Sequence, residues 1–581
     1  KQTKLVAVLS TAALLAIGAS MTSFAATGWA EEDGTWVYYN RDGERATDQW
    51  KKSGNNWYWL NSDGEMAIDE LIQDGDNYYY VDINGVMAAN QWVAIDNEDA
   101  GQDDEPDHYW YYFQANGKAL KNGDNARVAL KTVNGKKYAF DDEGRMLFGW
   151  VDADNAERID NTDGDGFKEG DYYFGGEDDG AMTVGWLQMD ITYDEATSDY
   201  EVSPVFNDDE DQTRWFYFKS NGKKVKAENG DTQKSKTING KKYEFDQYGA
   251  MTAEWSLDVD TASTSGIRGD YSTATHSVSA KYAQQWRYFQ DVENGARVSK
   301  GWFKVVSAEY LNYDKYNDDE DAWYYADGSG NLYAGQFKTI KGKKYAFRND
   351  GRMIDGLKFI QQDAQNNITD VRADDDDNHP FDTDDDFNKN SIYWSDLGYR
   401  CFYFGGGDDG AMRTNKTNID IDGDRFNFYF EKSGAHKGAG LTGEKDDKFY
   451  QSGKLITACK DEKYQVVKRS NKSGVSTAAS KYTYSKLDDV RKFLDDISGK
   501  YTDNVINDTT VDQLRDLGVN KKAEDIKELY IIDTTQVNAN DYFVVNTSGK
   551  VIDTKSKNKD GNDYYYVIKK GGQIAAIYAE N

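Results

Sequence analysis

Residues Gly54–Met66 read GNNWYWLNSDGEM, with Trp57, Tyr58 and Trp59 in a row between two polar, glycine-bearing turns. In an extended strand successive side chains point to opposite faces, so Trp57 and Trp59 share one face and Tyr58 and Leu60 the other. A strand that is aromatic or apolar on both faces but only a few residues long cannot make its own core. Its neighbours in the chain must complete it.

Those neighbours repeat it. Trp29, Trp50, Leu71 and Trp92 are spaced 21 residues apart, as are Trp36, Trp57 and Tyr78, then Tyr38, Trp59 and Tyr80, then Gly43, Gly64 and Gly85. Each unit reads as an aromatic strand, a polar turn ending in Asp-Gly or Asn-Gly, a short second strand and a linker, which is a β-hairpin. A lone hairpin is barely stable in water, so the units must bury their aromatic faces on one another. The expected fold is all-β, an elongated solenoid of stacked β-hairpin repeats, with a small α/β insertion near the C-terminus.

The rhythm lengthens further on. TVNGKKYAFDDEGRM from Thr132, TINGKKYEFDQYGAM from Thr237 and TIKGKKYAFRNDGRM from Thr339 start 105 and 102 residues apart, and each opens a superrepeat. YYFGGEDDGAMTVGW (Tyr172 to Trp186) and FYFGGGDDGAM (Phe402 to Met412) recur within the first and third, while the middle copy has diverged. Acidic insertions at Asp96–Asp107 and Arg372–Asp386 are expected to form exposed loops. From about Asp461 to Asn540 the aromatics thin out. There KLDDVRKFLDDI spaces Leu487, Val490, Leu494 and Ile497 as a helix does, and Val511, Leu514 and Leu517 suggest a second turn. The expected organisation is a signal peptide at 1–25, three to four 21-residue repeats at 26–120, three superrepeats of roughly 103 residues at 121–460, the α/β insertion at 461–540 and terminal hairpins at 541–581.

Composition fits many thin cores. Of 581 residues 14% are aromatic, with 53 Gly and only 3 Pro, and aliphatic side chains are sparse. The first residues carry two lysines, an apolar run from Leu5 to Ile17 and small residues at Ser23 and Ala25, the layout of a secretory signal cut after Ala25. Its run is too short to span a bilayer, and no later segment is long enough, so the mature chain is expected not to insert into membranes. The C-terminus shows neither an apolar tail nor an obvious covalent sorting signal. The net charge of -33 falls to -35 once Lys1 and Lys4 are removed with the leader. Such a surface disfavours nucleic acid and anionic membranes and favours cationic ligands or calcium. Two cysteines, Cys401 and Cys459, do not make a disulfide scaffold, and only geometry decides whether they pair.

GWAEEDGTWVYYNRDG (Gly28 to Gly43) and its successors resemble the cell-wall-binding or choline-binding repeats of Gram-positive surface proteins. TINGKKYEFDQYGAM is similar to the related repeats of clostridial glucan-binding and toxin receptor-binding regions. The resemblance covers roughly residues 28–460 and 541–581. It implies a secreted, wall-associated protein that binds choline on teichoic acids, or a glycan, with no nucleic-acid partner. It further implies a ligand cage built from two aromatics of one strand and the Trp that opens the next repeat. Counted back from the turn glycine, the seventh and fifth residues are Trp36 and Tyr38, Trp57 and Trp59, Tyr78 and Tyr80, Trp110 and Tyr112, and Trp215 and Tyr217. Trp50 closes the first cage and Trp92 the third, whereas Leu71 leaves the second open. Each ring can contribute about 0.5–2 kcal/mol to a desolvated quaternary ammonium. The GKKY units lose the cage, with Lys137 and Ala139 in the first copy and Lys241 and Glu244 near the second. Their opposite-face pairs, Tyr138 and Phe140, Tyr243 and Phe245, Tyr345 and Phe347, stay aromatic and mark the core face.

For a cofactor the sequence raises only calcium. NTDGDGFKEGDY (Asn161 to Tyr172) places Asn161, Asp163 and Asp165 as an EF-hand-like loop does, although Tyr172 stands where a bidentate Glu is needed. For catalysis it offers little. His108, His276, His379 and His436 are scattered and no hydrolase or metalloenzyme motif is present, so the chain reads as non-catalytic. Three alternatives stay open: a lectin for exogenous or host glycans, a wall hydrolase with an unrecognised catalytic unit at 461–540, and a purely structural spacer. Nothing in the pattern fixes an oligomeric state.

Overall fold

The computed structural model describes residues 27–102, 104–123, 126–192, 211–229, 231, 233–257 and 278–581. The signal peptide expected at 1–25 lies outside the described residues. Two compact units are present, one formed by the described parts of 1–264 with 288–297, the other by those of 265–287 with 298–581.

The first unit is a succession of small antiparallel sheets, most of two strands. Strand Gly28–Glu32 pairs with Thr35–Tyr39, Gln49–Ser53 with Asn56–Leu60, Glu70–Asp74 with Asn77–Val81, and Gln91–Asp96 with His108–Phe113. These pairings correct where the hairpin turns. The main turn lies at Asp33 and Gly34, both at positive φ (50° and 85°), as the tightest hairpin turns require. The turn at Gly43, which the sequence suggested as the hairpin loop, leads only to a single bridge between Tyr39 and Arg45. Each repeat opens with its own first strand, and the opening Trp lies directly across from the fifth-back aromatic. Trp29 faces Tyr38, Trp50 faces Trp59, Trp92 faces Tyr112 and Trp186 faces Tyr217.

Two contacts join each repeat to the one before it. The backbone N–H two residues beyond a turn glycine donates to the carbonyl of the seventh-back residue of the preceding hairpin: Met66 to Trp36 (2.7 Å), Met87 to Trp57 (2.9 Å), Ala119 to Tyr78 (2.8 Å), Met146 to Trp110 (2.7 Å) and Met251 to Trp215 (2.8 Å). The side chain at that same position then lies under the next turn glycine. A Cβ on Gly117 would run into Met87 Sδ, on Gly180 into Met146 and on Gly295 into Met251. The core face behaves as the alternation predicts, with Val37, Leu60, Val81, Phe113, Phe140, Phe216, Phe218 and Phe245 all buried.

The second unit begins the same way, with Gly301–Val306 paired to Asp321–Ala326, Gln336–Ile340 paired to Lys343–Phe347, and the Met353 and Met412 N–H groups donating to the Trp323 and Lys344 carbonyls. It then departs from hairpins. The end of the acidic stretch Arg372–Asp386 is not a loop: Thr383 caps a helix, Asp384–Asp396, whose first turn holds Asp384, Asp385 and Asp386. Carboxylates suit a helix N-terminus, and Phe387 and Trp394 bury the other face against Phe359, Phe428 and Phe430.

The helices expected near 487–517 form at Val490–Asp496 and Asp508–Asp516. Position 540, however, is no boundary in the fold. Tyr464–Asn471 pairs with Tyr542–Asn546, and Ile526–Ile532 pairs with Ile574–Glu580 at the centre of a five-stranded sheet. Residues 541–581 therefore complete the sheets of 461–540, and Val490, Phe493, Leu494 and Ile497 pack on Val544, Tyr566, Ile574 and Ile577.

Candidate aromatic ligand sites

Cross-strand register decides which rings meet. Each opening Trp packs edge-on against the fifth-back ring of its own hairpin and the sixth-back ring of the next one. Trp50 meets Trp59 at 5.2 Å between centroids and Tyr79 at 5.0 Å. Trp92 meets Tyr112 at 5.1 Å and Tyr138 at 4.9 Å. Trp186 meets Tyr217 at 5.1 Å and Tyr243 at 4.9 Å, and Trp302 meets Tyr325 at 5.1 Å and Tyr345 at 4.8 Å. These rings touch one another, so each set forms a continuous aromatic wall.

This changes the expected assignments. The rings in direct contact with Trp50 are Trp59 and Tyr79, and those in direct contact with Trp92 are Tyr112, Tyr138 and Phe140. Tyr38 instead packs on Trp29 at 5.4 Å, and Lys51 places its ammonium 4.8 Å from the Tyr38 centroid while donating to Asn40 Oδ1. Trp57 is exposed at 40%, whereas Trp59 is buried at 8% by Trp50, so the two do not share a ligand face. Tyr80 donates its hydroxyl to Asp69 and stacks on Phe113 at 6.2 Å, while Lys121 lies 5.8 Å from the Tyr78 ring. Trp110 and Tyr112 do belong to one set, with Trp92. So do Trp215 and Tyr217, with Trp186, which stands perpendicular to Trp215 at 6.2 Å. The sequence reading missed Trp186, Trp302, Trp323 and Tyr325. The divergent middle copy hid the last three, although WYYADGSG carries the same spacing to its turn glycine.

A carboxylate finishes the wall in each superrepeat. Trp110 Nε1 donates to Asp178 (3.1 Å), Trp215 Nε1 to Glu293 (3.3 Å) and Trp323 Nε1 to Asp408 (2.8 Å). Each acid stands two residues before the turn glycine of the hairpin after next. Their other partners differ: His108 Nε2 at 3.0 Å from Asp178, Gln188 at 3.1 Å from Glu293, and the Lys304 ammonium at 3.2 Å from Asp408. The Trp323 indole N–H and Lys304 hold Asp408 below the usual carboxylate range.

Some walls already carry a cation of their own. Lys224 stands at the position Met occupies in most repeats, and its fully buried ammonium lies 4.9 Å from the Trp150 centroid, donating to the Phe167 carbonyl. Burial, with Lys226 nearby, pulls it down to about 7. Lys344 lies 4.8 Å over Phe337 from a different place, the seventh-back strand position that Trp110, Trp215 and Trp323 hold in their hairpins. Among the described lysines and arginines, none lies over Trp92, Tyr112 or Tyr138, nor over Trp302, Trp323, Tyr325 or Tyr345.

In the loop of Asn161, Asp163 and Asp165, Asn161 Oδ1 accepts from the Gly166 N–H at 2.9 Å, and Asp165 pairs with Lys168 at 3.6 Å. Among the described residues no group of three or more His, Cys, Asp or Glu side chains is placed to hold a metal. Cys401 is buried and Cys459 exposed, and both are free thiols. No helix among the described residues is long and apolar enough to cross a membrane.

Register, methionine-on-glycine interlock and ring walls define a class of aromatic hairpin-repeat proteins. Residues 46–92 match the choline-binding repeat family. It is 24% identical over 283 residues to glucosyltransferase-S of Streptococcus mutans, covering 43% of this chain and only 16% of that enzyme. Among solved structures it is similar to the modular autolysin LytC of Streptococcus pneumoniae (19% identity, 58% of this chain and 56% of that one, TM-score 0.28). It is also similar to choline binding protein F of the same organism (16% identity, 74% and 98%, TM-score 0.22).

Proposed function

We propose that this chain is an exported, non-catalytic protein that attaches to the cell wall by docking choline head groups of wall polymer on its aromatic walls. The observation that carries this reading is that the protein's own ammonium groups already use rings of these repeats: Lys51 lies 4.8 Å from the Tyr38 centroid, Lys224 4.9 Å from Trp150 and Lys344 4.8 Å from Phe337. A trimethylammonium head group is a larger cation without N–H donors and so is cheaper to desolvate than a primary ammonium, and each ring adds about 0.5–2 kcal/mol to it. The net charge of -33 and the carboxylates Asp178, Glu293 and Asp408 at the wall edges favour the same ligand. Single sites would be weak. Repeats stacked into a solenoid would present several at once, and linked binding multiplies affinity by orders of magnitude.

The test uses the purified chain with isolated cell walls, challenged first with choline and then with soluble glucans. Release by millimolar choline supports the reading, and absence of wall binding, or peptidoglycan-degrading activity, overturns it. A glycan-binding reading has its own support in the exposed indole of Trp57 and in the similarity to a glucosyltransferase. Release by glucan but not by choline would select it.

A further inference from the structure

The second unit holds a cavity of about 480 Å³, away from the ring walls, between the start of helix Asp384–Asp396, strand Asp424–Phe430 and the segments 451–460 and 484–486. Its charge is opposite to that of the chain. Acids outnumber bases 102 to 69 overall, whereas the cavity is lined by Arg425, Lys454, Lys460 and Lys486 against only Asp384 and Asp424.

The internal pairings leave a surplus of positive charge. Lys454, 4% exposed, is ion-paired with Asp384, donates to Asn388 Oδ1 at 2.9 Å and lies 4.3 Å over Phe426. Arg425 has Asp420 at 3.5 Å. Lys460 and Lys486 have no carboxylate partner among the described residues, and the nearest hydrogen-bonding atom to the Lys486 ammonium is the Cys459 thiol at 3.1 Å. The charges are also close together: burial and the Lys486 charge pull Lys454 down to about 7. Cations held this near one another in a partly enclosed space repel, and an anion relieves that repulsion.

We propose that this cavity is an anion site for a phosphate group, free or esterified. Ammonium and guanidinium donors lining one cavity suit the three or more oxygens of a phosphate better than the two of a carboxylate, and the volume fits a small phosphorylated unit. The site is independent of the choline reading, since it shares no residue with the ring walls.

Cys459 supplies the readout. Cys401 is 1% exposed, so a maleimide applied to the native full-length chain reports on the cavity thiol alone. Alkylation rates are measured at constant ionic strength with rising inorganic phosphate, glycerol phosphate, a glycerol-phosphodiester polymer, acetate or choline chloride. Phosphate or its esters should slow labelling saturably, by threefold or more, with choline chloride inert, and the most effective of the three phosphates identifies the source. In Lys486→Gln, and separately in Lys460→Gln, the rate with phosphate divided by the rate without it should return toward one, a ratio that cancels any change in intrinsic thiol reactivity. No saturable slowing in the native chain, equal slowing in both variants, or stronger protection by acetate than by phosphate would overturn the assignment. Failure of choline to release the chain from walls would leave these rates unchanged, so the two proposals fail separately.

Discussion

Lys224→Met replaces a buried ammonium with the side chain that Met66, Met87, Met146, Met182 and Met251 place at the same point of their repeats. Lys224 is held at about 7 against an ordinary 10.5, a difference worth about 5 kcal/mol at 1.36 kcal/mol per unit. Because the folded value is depressed, the unfolded chain binds the extra proton between pH 7 and 10.5, and wild-type stability rises with pH across that window. The deficit is complete below pH 7 and gone above 10.5. At pH 6 Lys224→Met should therefore exceed the wild type by up to about 5 kcal/mol, less the ~1–2 kcal/mol returned by the Trp150 face. That gap should shrink by about 4 kcal/mol at pH 10. Asp246, raised by burial to about 6, titrates in a lower window and with the opposite sign, its contribution being lost as pH rises from 3.8 to 6. Lys454 shares the upper window, but it is present in both proteins and cancels in the difference. Native-state hydrogen exchange of peptides spanning residues 215–251 reads the first unit directly. A gap that is the same at pH 6 and pH 10 would refute the claim that a desolvated ammonium sits on this wall.

Other expectations separate structural from ligand-facing rings. Trp57→Ala, removing an indole that is 40% exposed, should change unfolding free energy by no more than about 0.5 kcal/mol. Trp92→Ala, removing a ring packed on Tyr112, Tyr138 and Phe140, should cost about 3–5 kcal/mol and abolish choline-induced tryptophan fluorescence change at that wall. Gly34→Ala meets open space at φ +85° and should cost about 1–2 kcal/mol, whereas Gly117→Ala, at φ +80° and against Met87, should cost about 3 kcal/mol. Pairing it with Met87→Ala should cost less than the two single changes added together, in a double-mutant cycle by urea unfolding. A chain ended at 540 loses the partner strands of Ile526–Ile532 and Tyr464–Asn471. Its residues 461–540 should show no slow-exchanging amides.

The repeat, the alternation of buried and open faces and the helices near 487–517 were legible because each is a local periodicity. The register was legible too, but from a different turn. Asp33-Gly34 is the two-residue type that sets a tight hairpin, and once it is taken as the hinge, Trp29 must lie across from Tyr38. Taking Gly43 as the hinge instead hides this cross-strand partner. The carboxylates on Trp110, Trp215 and Trp323 are 68, 78 and 85 residues away from them, a separation that varies with the insertions between, so their shared place two residues before a turn glycine was their one local mark. The helix at Asp384 was hidden by its own acids, which read as a solvated loop until Thr383 is seen to cap them. Position 540 looked like a boundary because composition changes there, yet strand pairing is set by partners far along the chain.

In these repeats the rings that would receive a ligand are also the rings that hold successive hairpins together, since Trp92 covers Tyr138 and Phe140 with the same indole whose outer face stays open. Removing a ring to silence a site would therefore cost the fold several kcal/mol. Lysine offers another route. At position 224 its methylene stem packs under Gly249, as methionine does elsewhere, while its ammonium fills the cation position on Trp150. Desolvating that charge destabilises the fold below pH 7, but the ladder hydrogen bond from the Lys224 N–H to the Asp171 carbonyl and the hairpin stack are kept. A lysine at this point of the repeat keeps the contact under the next turn glycine that methionine makes elsewhere, so a charge is added beside the rings without loss of the stack.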